Sequence, residues 1–288
     1  MKLRFLDLVA PHPYHKDSLS ERPMGGTEAT VIRVANALER LGHETRIDHQ
    51  NELWGDVTIV LRDPQYLNEG DVLWMHDMLP ATDEQVSKAA FTVAVSHFHQ
   101  TFLREGISSK LAFIYNPVDP ICKPLDKDPN KVVFLSSPHK DLEFSLQTFA
   151  EMLKLNPDLH LYILNPGYVE STLLNTSKVT TIGPVIHAEA MRHLGEASLL
   201  LHANKVFPES MGIVYAEAAA CETPVLTLDV GAAKEIVGNN GLVAGADVNP
   251  EELASGYLSA MQTKITPNTQ YTLEAVALEW EKRLLALI

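Results

Sequence analysis

The sequence predicts an α/β protein made of two doubly wound, parallel-sheet domains joined by a linker. Three observations predict it. Short runs rich in Val, Ile, Leu and Phe alternate with helix-period segments through the first half. A stretch dense in proline and aspartate then interrupts the pattern. Beyond it the alternation of strand and helix starts again.

In the first half, strands are expected at Leu3–Val9, Glu44–Asp48, Val57–Leu61, Val72–His76, Phe91–Val95 and Leu111–Tyr115. The clearest helix is Thr27–Leu41, where Val31, Val34, Ala35 and Leu38 recur at helical spacing. Gly42 suits a left-handed position just past its end. A second helix is expected from Ser96, as N-cap, to about Arg104. The stretch Asn116–Asn130 holds Pro117, Pro120, Pro124 and Pro129 with Asp119, Asp126 and Asp128, and reads as the linker.

In the second half, strands are expected at Lys131–Leu135, Leu159–Leu164, Val179–Ile182, Leu199–His202, Pro224–Leu228 and Gly241–Val243. Helices are expected at Leu142–Leu155, His187–Leu194, Gly212–Ala220, Ala233–Val237 and Glu251–Met261, with a last one at Leu273–Leu287. The domains so defined are residues 1–119 and 120–270, followed by a C-terminal helix at 271–288. In sheets of this kind ligands bind at the carboxyl ends of the strands, and two such domains imply a cleft between them.

Composition narrows the function. The chain has 288 residues and a formal net charge of −14, which speaks against a nucleic-acid partner and its need for a basic face. The lysines Lys123, Lys127 and Lys131 read as a solvated linker. Cys122 and Cys221 stand outside any CxxC pattern and read as thiols in a reducing compartment. No apolar run reaches the length of a membrane span, and Met1–Val9 reads as a first strand, so the protein is placed in the cytosol. The histidines, including His12, His15, His97, His99 and His187, form no HExxH or related spacing, and no D-x-D run is present. No metal site and no cofactor are expected.

The most informative segment is Phe207–Val225, where Glu209 and Glu217 are separated by seven residues. Glu209 precedes a predicted helix and Glu217 lies on it. The start of such a helix offers free N–H groups and the positive end of its dipole, which suit a diphosphate. Carboxylates beside it can accept hydrogen bonds from sugar or ribose hydroxyls. Taken singly, the glutamates read better as a capping residue and a solvated helix residue.

The pattern E-x7-E followed by E-A-x-A-x-x-x-P-V resembles the donor-site signature of glycosyltransferase family 4. Glu209, Gly212, Glu217, Pro224 and Val225 match, whereas Ser210, Met211 and Glu222 depart from the usual Gly, Phe and Gly. Thr181–Val185 resembles the strand and loop against which the nucleotide base packs, and Ser198–His202 the strand leading into the motif. Met24–Glu28 carries the Gly25–Gly26 pair before the first long helix, where backbone can approach a diphosphate or sugar. Ile114–Asp119 is similar to the family's run into the linker, with Pro117 in place of a glycine. Ser136–Leu142 occupies the place of the family's phosphate-clamp segment. Lys140 matches its lysine, while Ser136, Ser137 and His139 stand where an arginine is usual.

The resemblance implies a GT-B fold, with two Rossmann-like domains facing each other across a cleft. It implies a reduced acceptor-side domain at 1–119, a donor-side domain at 120–270, and a final helix, with Trp280, crossing back. It further implies a retaining, metal-independent glycosyltransferase using a UDP-, GDP- or ADP-sugar. The acceptor is a glycan, a lipid-linked molecule or a small molecule, and the oligomeric state is open. The implied catalytic group is Glu209 on the transferred sugar, Lys140 on the diphosphate, and His76 at a strand end near the sugar. The implied donor-binding set is Gly25, Gly26, Ser137, Lys140, Val185, Glu209, Ser210, Met211, Gly212, Ile213 and Glu217, the last on the ribose. The alternatives are a non-catalytic nucleotide-sugar-binding subunit and a GT-B-type epimerase. A phosphorylase lacks its pyridoxal lysine context here, and a Rossmann dehydrogenase its GxGxxG.

Overall fold

A computed structural model describes residues 1–50, 54–119, 126–165 and 176–287. Cys122, Lys123, Pro120 and Pro124 lie outside the described residues. The chain divides into two compact units, one of Met1–Ser18, Gly26–Asp119 and Thr269–Ile288, the other of Leu19–Gly25 and Pro120–Asn268. Among the described residues each unit is built on a six-stranded sheet, and every paired strand is parallel.

The first sheet has the order β2-β1-β3-β4-β5-β6. Its strands are β1 (Lys2–Leu6), β2 (Glu44–Asp48), β3 (Val57–Leu61), β4 (Val72–Trp74), β5 (Phe91–Ala94) and β6 (Leu111–Phe113). They are short and buried on both faces, so the sequence reads as near-continuous apolar runs. Leu6, Val60 and Leu73 face one core with Leu103 and Ile107. Phe5 and Trp74 lie on the opposite face, where the Trp280 ring meets Trp74 edge-on at 4.7 Å. The helices of this unit are α1 (Ser18–Glu21), which ends beyond its boundary, α2 (Gly26–Arg40), α3 (His97–Leu103) and, from the chain's end, α10 (Leu273–Leu285). Gly42 adopts the left-handed conformation, φ 91°, that ends α2. Ser96 caps α3 by accepting from the His99 amide at 2.9 Å.

The second sheet has the order β12-β11-β10-β7-β8-β9. Its strands are β7 (Asp128–Leu135), β8 (His160–Leu164), β9 (Val179–Gly183), β10 (Ala197–His202), β11 (Val225–Leu228) and β12 (Gly241–Ala244). One face packs Val132, Phe134, Leu161 and Leu199 against Phe149 and Met152 of α4 (Leu142–Leu155). The other packs Val133 and Leu164 against Ala190 of α5 (His187–Glu196). The remaining helices are α6 (Ile213–Ala220), α7 (Ala233–Val237), α8 (Pro250–Ser255) and α9 (Tyr257–Met261).

Several expected boundaries move. Strand β1 stops at Leu6, β4 at Trp74, β5 at Ala94 and β6 at Phe113, each one to three residues short of its expected end. Strand β7 begins at Asp128, so the end of the expected linker is already paired, Asp128 with Ala197 of β10. The single helix expected at Glu251–Met261 is two, α8 and α9, broken at Gly256. A Cβ at that position would meet Leu242 at 3.1 Å. The short helix α1, which the periodicity does not announce, occupies part of the long β1–α2 connection.

Candidate active site

In the second sheet the chain runs from β7 outward through β8 and β9, then returns to pair β10 on the other side of β7. The topological switch point therefore lies between β7 and β10, where doubly wound sheets bind ligands. The connection after β7 carries Ser137, His139 and Lys140, and the one after β10 carries Glu209–Gly212. These are the two segments on which the sequence places the donor site.

The structure joins them directly. Lys140 Nζ donates to both Glu209 oxygens, at 2.7 and 2.9 Å. The side chains are 24% and 12% exposed, so the pair is sheltered but open at one edge. The Glu209 position is over-determined. Its carbonyl accepts from the Ala232 amide at 2.9 Å, and its backbone forms a β-bridge with Gly231. Upstream, the Asn204 side chain donates to the Phe207 carbonyl at 2.6 Å and accepts from the Val206 and Phe207 amides, which folds the loop. Asp141, in a left-handed conformation at φ 59°, caps α4 and accepts from the Lys205 amide at 3.1 Å, tying the two loops together.

Beneath Glu209 lies His202, the last residue of β10, fully buried. Its Nε2 is 3.8 Å from Glu209 Oε1, and its Nδ1 is 2.8 Å from the Tyr215 hydroxyl. Thr227 Oγ1 is 3.2 Å from that hydroxyl and donates to the His202 carbonyl at 2.7 Å. Burial pushes the His202 imidazole down to about 4, which the Glu209 charge only partly opposes, so the ring is neutral. Burial likewise pushes the Tyr215 phenol well above its usual range.

Gly212 forms the N-cap of α6 at φ 69°. A Cβ there would sit 2.5 Å from the Tyr215 ring, so only glycine fits. No side chain caps α6, whose Tyr215 amide donates to the Gly212 carbonyl at 2.9 Å. Met211 is buried, Ser210 and Ile213 are partly exposed, and Glu217 is buried one turn further on. Glu217 Oε1 lies 3.9 Å from His187 Nε2 at the start of α5. Val185 packs on the Val133–Leu164 core. Ser137 is buried and bonds His139 Nδ1 at 2.7 Å, while the His139 ring meets Phe207 edge-on at 5.1 Å.

Two predicted sites belong to the other unit or to its boundary. Gly26 is the first residue of α2 and the unit boundary falls between it and Gly25. His76 follows β4 in the first unit, buried on Trp74 with ring centroids 4.5 Å apart. Burial, with Arg62 and His99, drives its pKa well below the ordinary value. The sequence places this histidine at a strand's carboxyl end, and it follows β4 there, buried on Trp74 and held neutral. Among the described residues no group of three or more His, Cys, Asp or Glu is arranged to hold a metal ion. No helix among them is long and apolar enough to cross a membrane.

Sequence reasoning missed His202, Tyr215 and Thr227, the support under Glu209. A polar residue ending the apolar run Ser198–His202 was the available signal.

Residues 129–263 match the family model described as "Glycosyl transferases group 1". Comparison with curated proteins gave no match. Among solved structures, AviGT4, a glycosyltransferase involved in avilamycin A biosynthesis, superposes with TM-score 0.74 at 18% identity, covering 99% of this chain and 98% of that one. Anabaena HepE in complex with UDP and glucose gives 0.71 at 17% identity, covering 99% and 100%. Sucrose-phosphate synthase from Thermosynechococcus elongatus gives 0.72 at 13% identity, covering 100% and 99%. The chain therefore shares the two-sheet GT-B fold of these glycosyltransferases, and its residues 129–263 match the glycosyl transferases group 1 model.

Proposed function

We propose that the second unit binds a UDP-, GDP- or ADP-sugar at the β7/β10 switch point and that transfer retains the anomeric configuration. The observation that carries the reading is the Lys140–Glu209 pair beside the uncapped start of α6. A lysine and free helix amides are the groups a diphosphate needs, and a sheltered carboxylate is what sugar hydroxyls need.

On donor binding Lys140 exchanges the Glu209 carboxylate for a diphosphate oxygen. Glu209 is thereby released to accept hydrogen bonds from the sugar. His202, neutral and locked by Tyr215, adds no charge that would bind the carboxylate permanently. Glu217 takes the ribose diol. Charge developing on the leaving diphosphate is met by Lys140 and the α6 amides, without a metal ion or other cofactor. His76, buried and neutral, takes no part as a charged group. The HepE complex with UDP and glucose supports this class of donor. Retention rests on the resemblance of the Phe207–Val225 segment. The cytosolic placement rests on the isolated cysteines.

The test is thermal shift with UDP, GDP and ADP. A nucleotide at one hundred times its Kd adds about 2.7 kcal/mol to the stability of the state that binds it. No stabilisation by any of the three sinks the donor reading. With the stabilising nucleotide's sugar as donor, slow hydrolysis is lost in Lys140→Ala and Glu209→Ala and unaffected by EDTA. The anomer of the product, read by NMR, decides retention.

A further inference from the structure

The first sheet has a switch point of its own, between β1 and β3, because the chain leaves β1 toward β2 and returns to β3 on the other side. Asp7 follows β1 and Arg62 follows β3, so the two flank it. Glu28 reaches the same place from the first turn of α2. Arg62 Nη2 donates to Glu28 Oε1 at 2.6 Å and stands 3.9 Å from Asp7 Oδ2, which accepts from the Tyr14 hydroxyl at 2.9 Å. The donor reading uses none of these residues.

Three features mark the cluster as more than a structural ion pair. Arg62 is held in the left-handed region, φ 68°, which is costly for an arginine. Asp7 Oδ1 and Arg62 Nε are buried with no hydrogen-bond partner among the described residues, and the Asp7 side chain has no exposure at all. Unpaired buried polar atoms carry a cost that a merely structural salt bridge would not retain. Above Asp7, Arg62 and Glu28 keep 16% and 10% of their side-chain surface. Each spends one terminal atom on the other, which leaves each a second terminal atom that the pair itself does not use.

We infer that the Arg62–Glu28 pair, seated on Asp7 at the switch point of the first sheet, binds two neighbouring hydroxyls of a neutral carbohydrate acceptor. The guanidinium donates to one hydroxyl and the carboxylate accepts from the next, so a diol satisfies both. The carboxyl groups of Asp7, Glu28 and Asp77 outnumber the single guanidinium they surround. An acceptor carrying phosphate or carboxylate is therefore repelled. The inference rests on the glycosyltransferase reading for the word acceptor, but the binding itself is measured without any donor.

The full chain is titrated with maltose, lactose and sucrose, and with glucuronate as the anionic counterpart, by saturation-transfer NMR. UDP, GDP and ADP binding is followed separately by thermal shift. At least one neutral disaccharide binds with a millimolar Kd, and glucuronate binds about tenfold more weakly or not at all. Arg62→Asn keeps a residue that tolerates the left-handed backbone. Glu28→Gln keeps the shape of the side chain. Each weakens the disaccharide at least about tenfold, the loss of a hydrogen bond to a charged group, and leaves nucleotide binding alone. Absence of saccharide binding, an unchanged Kd in both variants, or tighter binding of glucuronate overturns the inference. Loss of nucleotide binding alone overturns the donor reading and leaves this one standing.

Discussion

Replacing Gly231 with alanine drives a methyl group into the backbone that carries Glu209. The new Cβ would lie 2.4 Å from the Glu209 nitrogen, 2.6 Å from its oxygen and 2.9 Å from the Pro208 carbonyl carbon. Ordinary contact begins near 3.4 Å, so the closest approach is about 1 Å too short, and each of these three neighbours is backbone that has no rotamer to escape into. The left-handed backbone, φ 66°, adds a further cost of about 1–2 kcal/mol for a residue with a Cβ. With overpacking at about 1–3 kcal/mol, the sum is roughly 2–5 kcal/mol. The functional effect is sharper than the stability effect, because the strand of backbone that moves positions the carboxylate proposed to hold the sugar. A shift of about 1 Å there costs on the order of a hundredfold in turnover. Gly42→Ala is the control. It shares the positive φ, but nothing lies within 4 Å of its Cβ, so it costs about 1 kcal/mol and leaves turnover intact. The assay pairs urea unfolding with donor hydrolysis. Turnover within threefold of wild type in a folded Gly231→Ala protein would refute the claim that this bridge sets Glu209.

Three other outcomes follow from the same geometry. Lys140→Ala leaves Glu209 sheltered without its cation, so nucleotide affinity falls by roughly one to two orders of magnitude while the melting temperature moves little, as calorimetric titration and thermal unfolding would read. His202 has a folded pKa of about 4 against 6.5 in the unfolded chain, so its neutral burial stabilises the fold above about pH 6.5, and up to roughly 3 kcal/mol is lost as the pH falls through 4. Equilibrium unfolding between pH 7 and 4 should show this slope in wild type and a shallower one in His202→Gln; equal slopes would remove His202 as the cause. Trp280→Ala empties a fully buried site against Trp74 and costs about 3–5 kcal/mol in the first unit, visible as a lowered unfolding midpoint by Trp74 fluorescence.

Legibility in the sequence followed the range of the interactions involved. Helix Leu142–Leu155 was read to the residue, since its apolar period and the Asp141 cap are both local. The Glu251–Met261 helix was read as continuous, because the close approach of Leu242 that favours glycine at 256 comes from fourteen residues away. Strand ends were overrun wherever apolar residues continue past the last paired position, as at Val95 after β5, since apolarity reports burial and not hydrogen bonding. For the site, Glu209, Gly212, Glu217 and Lys140 were legible because two loops carry them as compact motifs. His202, Tyr215 and Thr227 were not, since they come from β10, α6 and β11 and form no motif.

The sequence by itself determined that this chain is two parallel α/β sheets, and which short segments resemble a donor site. Both depend on periodicity and on residues within a few positions of one another. Tertiary structure alone decided that Lys140 and Glu209 are partners, that Gly231 braces the glutamate, and that Asp7, Glu28 and Arg62 meet at a second switch point. Those pairings join residues 69, 22 and 34 positions apart. The order of strands in each sheet brings them together, and strand order is set by long-range packing that no local pattern encodes.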